Sequence, residues 1–340
     1  MPESGQRIGE YCLTERLGQG TFGEVWKAHH HVWSDQWVAI KIPTDPQYVR
    51  NLQREGLAVH GLIHPNIVRA MGFDPYAATP YLTMEYIAGT SLRPMIKGRL
   101  LSPVDAATIL GQVLAGLDYA HDRGIVHHDI KPENILVHES AGRQGYDAQG
   151  MVKVADFGFG HPAGGTRAGS MVYSASLESP ASRSIAGTLD YMSPEQRAGD
   201  TTDPRTDLYA CGVVLFEMLT GERPAGTEVP TDLNPAVPKY MDDVFRRAYA
   251  RLDKRFTSSR EFSEAILRSQ PPPLPKPHGS GRLCPNCRHG IGPDDQFCMY
   301  CGLQLVTLVR RCPKCGAYPD VSDGYCMFCG QTLSPKMAVT

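Results

Sequence analysis

The stretch that most narrows what this chain can fold into is HHDIKPEN, His127 to Asn134, followed by DFG at Asp156 to Gly158. Together they place a carboxylate (Asp129), an ammonium (Lys131), an amide (Asn134) and a second carboxylate (Asp156) at the spacing a nucleotide-handling site needs. Phosphoryl transfer asks little covalent chemistry of a protein. It asks for an aligned hydroxyl, metal ions and cations that take up charge on the moving group. Asp129 suits alignment of the hydroxyl and acceptance of its proton, Lys131 suits the transferring phosphate, and Asn134 and Asp156 suit Mg²⁺. DFG alone is a common tripeptide; the two motifs in this order are not.

On these residues the chain resembles the protein kinase family, and KPEN resembles its serine/threonine branch. The resemblance implies an α+β, two-lobed kinase fold, with a small β-rich N-lobe and a larger helical C-lobe. It also implies ATP, Mg²⁺ (or Mn²⁺) and protein substrates. One departure is visible: the usual Arg before the catalytic Asp is His128. In most members that Arg pairs with a phosphate on the activation loop. Histidine is shorter, offers no bidentate fork and is mostly neutral at pH 7, so loop phosphorylation is expected not to be obligatory.

The chain has 340 residues, 41% hydrophobic and 21% charged, an ordinary globular composition that fills two or three domains. Its formal charge of −2 predicts no polyanion partner. No apolar run reaches the roughly 18 residues of a membrane span, and MPESGQRIGEY lacks the apolar core of a signal peptide. A soluble cytoplasmic protein with no membrane partner is expected.

Near the N-terminus, Tyr11 to Leu17 alternates loosely and leads into LGQGTFGEVWKA, where Gly18, Gly20 and Gly23 form GxGxxG. A Rossmann turn shares this pattern but opens directly into a helix, whereas Glu24 to Ala28 reads as a second strand. A hairpin lid over phosphates, with Val25 against the base, fits better. Trp37 to Ile42 is a strand with Lys41 between apolar neighbours, and a buried ammonium needs partners. The resemblance supplies the α- and β-phosphates of ATP and a Glu on the next helix, Val49 to Leu62. Glu55 is the single acid between Tyr48 and Met71. The resemblance also sets Ala39 in the cofactor pocket. His29, His30 and His31 read as a solvated turn between strands, with no carboxylate cluster around them.

Tyr81 to Ile87 is a strand in which the resemblance makes Met84 the gatekeeper, with the backbone of Glu85 and Ile87 pairing with the adenine edge. Ser102 at the cap, Pro103 at the first position and Asp105 three after the cap mark a helix. Its stripe of Ala107, Leu110, Val113, Leu114 and Leu117 is core, and Gly124 stops it. Asn134 to Val137 and Met151 to Ala155 read as strands, separated by a polar, Gly-containing surface loop from His138 to Gly150. Asp156 to Glu195 has the composition of an activation loop. Thr188 resembles the substrate-pocket threonine, and SPE stands for APE. Asp207, the acid near the start of the apolar helix Thr206 to Leu219, is implied to hold the catalytic-loop backbone. Arg255 is the implied partner of Glu195.

Ser269 to Arg282 is Pro-rich and then Gly-rich, a semi-rigid spacer. Beyond it come CPNC, CMYC, CPKC and CMFC, whose first cysteines, Cys284, Cys298, Cys312 and Cys326, are 14 residues apart. CP-x-C alternates with CM-aromatic-C, so the repeat is 28 residues: Cys284, Cys287, Cys298 and Cys301, then Cys312, Cys315, Cys326 and Cys329. Asp295 and Phe297 recur as Asp323 and Tyr325. Each copy is expected to form one four-thiolate Zn²⁺ site, and the pair resembles a double zinc ribbon. Two Zn²⁺ would supply folding energy that units this small lack. The expected domains are thus a kinase domain over 8–268, a linker over 269–282 and a double zinc ribbon over 283–333.

Three function classes compete. An active serine/threonine kinase is favoured because Lys41, Asp129 and Asp156 are all present. A pseudokinase-type scaffold that binds nucleotide and partners usually lacks one of them. A nucleic-acid binder is disfavoured, because Leu283 to Thr340 holds five Lys or Arg against four Asp or Glu. A protein partner, or a regulatory role, is the expectation for the ribbons.

Overall fold

The computed structural model describes residues 2–20, 23–45, 48–50, 52–53, 56, 60–98, 101–141, 145–157, 161–162, 189–268, 282–286, 290–291, 296–298, 303–306, 311–319, 324–326 and 330–333. The chain divides into two compact units, Met1–Gln270 and Pro271–Thr340.

The first unit begins with a sheet in the order β1-β2-β3-β4-β6-β5, every neighbouring pair antiparallel. Its strands are β1 Arg7–Ile8, β2 Tyr11–Gln19, β3 Gly23–His30, β4 Trp37–Pro43, β5 Ala70–Asp74 and β6 Tyr81–Glu85. Side chains alternate between faces along a strand. In β4, Val38, Ile40 and Ile42 therefore share the face that packs with Leu13, Trp26 and Ala28, and Ala39 and Lys41 take the other. Both faces are covered, so β4 is buried from Val38 to Ile42. The GxGxxG stretch opens into strand β3, as the sequence implies, with Gly18 opposite Val25. Residues 49, 50, 52, 53 and 56 are helical, inside the expected Val49 to Leu62 helix. Glu55 lies outside the described residues.

A second set of elements is mainly helical: β7 Gly89–Ser91, α1 Leu92–Gly98, α2 Pro103–His121, β8 Ile125–Val126, a 3₁₀ turn Pro132–Asn134, β9 Ile135–His138, β10 Val152–Val154, β11 His161–Pro162, α3 Pro194–Ala198, α4 Arg205–Thr220, α5 Pro230–Leu233, α6 Tyr240–Ala248 and α7 Ser259–Arg268. Helix α2 starts where its cap chemistry says it should: Ser102 accepts the Asp105 N–H at 3.1 Å, with Pro103 at the first position. Helix α4 is buried all round from Thr206 to Leu219, so it forms the middle of the core rather than an amphipathic face. It ends at Gly221, whose φ of 80° suits glycine.

The described residues between His138 and Gly150 form the expected surface loop, with Glu139, Gly145, Asp147 and Gln149 exposed, but two side chains anchor it. Ala141 and Tyr146 are buried in the same core as α2 and α4. Gln112 of α2 donates to the carbonyls of Tyr146 and Ala148, the latter at 3.0 Å, so one side-chain amide ties the loop down.

The second unit is described in pieces that repeat. Strands β12 Arg282–Leu283 and β13 Gly290–Ile291 pair antiparallel. The bridge Phe297–Gln304 returns 28 residues later as Tyr325–Thr332. Likewise the bond from Leu305 N to Gln296 O returns as Leu333 N to Gly324 O. Among the described residues, each copy buries two cysteines with one aliphatic side chain: Cys284, Cys298 and Ile291, then Cys312, Cys326 and Leu333.

Candidate active site

Asp207, in the first turn of α4, organises the loop between β8 and the 3₁₀ turn. It accepts the backbone N–H of His127 and of His128, each at 2.8 Å, and His121 Nε2 lies 2.7 Å from its second oxygen. Burial alone pushes its carboxyl up. The contact with His121 and the nearby His127 and His128 outweigh that and hold it at about 2. His127 Nδ1 accepts the Asp129 N–H at 3.2 Å, so its proton sits on Nε2, which donates to Ala155 O at 2.9 Å. Its ring also packs 4.5 Å from the ring of Phe157. The loop is thereby fixed to the end of β10, where Asp156 follows.

Asp129 is 7% exposed. Lys131 Nζ lies 3.0 and 2.8 Å from its two carboxylate oxygens, and Asn134 Nδ2 donates to its carbonyl at 2.8 Å and its Oδ2 at 3.1 Å. Burial raises the Asp129 carboxyl above the usual range, with Lys131 only partly offsetting it. With Nδ2 directed at Asp129, Oδ1 is the atom through which Asn134 would hold a cation. Lys41 makes an ion pair with Asp156. The resemblance implies phosphates and Glu55 as its partners, and Glu55 lies outside the described residues. Among the described residues two non-glycine positions adopt left-handed φ, His128 at 66° and Asp156 at 68°. Such backbone persists where surroundings over-determine it, and it clusters at functional sites.

The remaining expected residues lie in or beside strands β2, β3, β4 and β6. A Cβ at Gly23 would lie 2.4 Å from Ile42 O, so only glycine fits there. A Cβ at Gly18 meets nothing within 4 Å, and Gly20 N bonds Gly23 O at 2.9 Å. Val25 sits opposite Lys41, and Ala39 opposite Met84. Glu85 donates its N–H to Arg69 O at 3.0 Å. Strand β6 ends at Glu85, so Ile87 lies beyond it. Gly158 and Thr188 lie outside the described residues.

In the second ribbon, one sulfur each from Cys312, Cys315 and Cys326 lies within 4.8 Å of the others. Cys315 Sγ is 3.5 Å from Cys326 Sγ. Thiolates on one tetrahedral zinc, at about 2.3 Å each, sit at comparable separations. The contact joins the two CxxC pairs of a 28-residue copy, and Cys329 lies outside the described residues. Cys284 and Cys298 of the first copy are buried together, with Cys287 and Cys301 outside the described residues.

The histidine run departs from its expected turn. His29 and His30 close β3, and His31 Nδ1 lies 3.2 Å from Glu10 Oε2, so a carboxylate is present. His30 Nδ1, however, accepts the N–H of Val32 at 3.1 Å and of Trp33 at 3.3 Å. That leaves the proton on Nε2 and makes the ring a poor metal ligand.

A protein kinase domain model matches residues 11–271, and a double zinc ribbon model matches residues 284–330. The chain belongs to the protein kinase family. It is 34% identical over 294 residues to the probable serine/threonine-protein kinase PknB of Bifidobacterium longum, covering 76% of this chain and 39% of that one. It is 33% identical over 286 residues to the serine/threonine-protein kinase Pkn1 of Myxococcus xanthus, at 78% and 39% coverage. Against the serine/threonine-protein kinase PrkC of Bacillus subtilis it is 31% identical over 287 residues, at 78% and 41%. The chain spans well under half the length of these kinases. No helix among the described residues is long and apolar enough to cross a membrane.

Two features of the kinase unit escape sequence reasoning. Arg93 of α1 bonds Glu133 Oε1 at 2.7 Å and also reaches Glu217 and Tyr191. Burial opposes its charge, but the bonds to Glu133, Tyr191 and Glu217 hold it firmly cationic. No local pattern in LRPMI announces this. His121, the last residue of α2, carries no local signal of its contact with Asp207. The buried Glu195–Arg255 pair, with contacts of 2.7 and 3.1 Å, forms as the resemblance implied.

Proposed function

We propose that the chain transfers the γ-phosphoryl group of ATP to serine or threonine hydroxyls of proteins, with Asp129 as the base. The observation that carries this is the convergence of Asp129, Lys131 and Asn134 on a loop anchored to Asp207, together with the Lys41–Asp156 pair. The substrate oxygen attacks the γ-phosphorus as its proton passes to Asp129 and the bond to the β-phosphate oxygen breaks, releasing ADP. Lys131 balances charge at the transferring group, and Lys41 orients the α- and β-phosphates, with Glu55 as the family partner of Lys41. Gly18, Gly20, Gly23 and Val25 close over the nucleotide, and Ala39, Met84, Glu85 and Ile87 surround its base. Asn134 and Asp156 would hold Mg²⁺ (or Mn²⁺), which neutralises charge on the β- and γ-phosphates. A raised Asp129 pKa suits a base that must take up a proton near neutral pH.

We assign one Zn²⁺ to each ribbon, held by Cys284, Cys287, Cys298 and Cys301 and by Cys312, Cys315, Cys326 and Cys329. The ribbons serve protein interaction or regulation. Eight thiols kept as metal ligands fit a reducing, cytoplasmic setting. A scaffold without transfer has no observation in its favour. The test is labelled ATP with the full chain and a generic basic protein. Label on serine or threonine is expected; nucleotide binding with no transfer would overturn the reading.

A further inference from the structure

Among the described residues, three hold His128, the departure from the family pattern. Its N–H donates to Asp207 at 2.8 Å, its carbonyl accepts from Gln196 Nε2 at 2.9 Å, and its ring Nε2 lies 2.9 Å from Thr202 Oγ1. These partners come from α4, from α3 and from the segment joining them, all beyond the Ser/Gly-rich activation segment. A non-glycine residue at φ 66° needs such restraint. Asp207 and Gln196 bond its backbone and Thr202 bonds its ring, so all three resist its rotation. A threonine hydroxyl donates and accepts, so this bond survives in either tautomer of the histidine.

We propose that Thr202, acting through His128, is a positioning residue that sets Asp129 for transfer. The proposal rests on the kinase reading above. His128 immediately precedes Asp129, so rotation of its backbone would displace the Asp129 carboxylate, and misplacement of about 1 Å costs large factors in rate.

The experiment uses the full chain, treated with phosphatase and shown by mass spectrometry to be unmodified over 151–195. Transfer to a generic basic protein and nucleotide affinity are measured for wild type, Thr202→Val, Thr202→Ser, His128→Ala and the Thr202→Val/His128→Ala double variant. Thr202→Val should lower kcat about tenfold while nucleotide affinity stays within about twofold, and Thr202→Ser should restore kcat to within about twofold of wild type. The double variant should be no slower than the slower single variant, because both remove one bond. A Thr202→Val kcat within about twofold of wild type, additive effects, failure of serine to rescue or a parallel loss of nucleotide affinity would each overturn the proposal. A wild-type chain that transfers nothing before or after treatment fails the kinase reading, and this proposal with it.

Discussion

Asp207 touches no reacting group, yet it holds the two backbone amides that precede Asp129. Its carboxyl sits at about 2, below its ordinary 3.8, because His121 and the His127 and His128 environment outweigh the cost of burial. A carboxylate depressed in the folded state contributes stability above its unfolded pKa and loses it as pH falls through the folded one. Asp207 should thus contribute roughly 2 kcal/mol at neutral pH and lose about 1 kcal/mol of it by pH 3. Urea unfolding at pH 5 and pH 3 checks this. The wild type should lose more stability over that interval than Asp207→Asn does, and equal losses would contradict the assignment. The same residue shows what sequence could deliver: its link to the catalytic loop followed from the resemblance, whereas its contact with His121, 86 positions away, did not.

At the scale of elements, Gln112 is the side chain that most changes a sequence-based expectation. Its amide oxygen accepts from Asn66 Nδ2 at 2.7 Å and Val152 N at 3.1 Å, and its nitrogen serves Tyr146 and Ala148. Gln112→Ala would leave several buried polar groups unpaired, at about 1–3 kcal/mol for each that water cannot reach. The expected outcome is a clear loss of stability, with faster amide exchange concentrated in 145–152; exchange rising equally across α4 would argue against a local staple. Helices α2 and α4 were legible because caps, proline and apolar spacing are local signals. The anchoring of the loop after β9 was not, because two apolar side chains, Ala141 and Tyr146, among polar ones carry no period. Arg93 was hidden for a related reason. Its partners Glu133 and Glu217 lie 40 and 124 residues away, and only the fold brings them together. The ribbon repeat was fully legible, since cysteine spacing is itself the architecture.

The whole molecule divides at Gln270 into a kinase unit with its own core and a cysteine-rich unit whose buried clusters are small. Stability in the second unit should come from metal. A strong chelator should therefore release two zinc ions per chain and abolish ordered structure in the tail. It should also leave the melting temperature of the kinase unit within about 2 °C; one metal per chain would contradict the two-site assignment. The central claim concerns the other unit, and it is tested by comparing wild type with Asp129→Asn for nucleotide affinity and for transfer of labelled phosphate to a basic protein. Asp129→Asn should bind Mg–ATP within about twofold of wild type and lose nearly all transfer, since the hydroxyl has no carboxylate to take its proton. Transfer by Asp129→Asn at a rate near wild type would contradict the account.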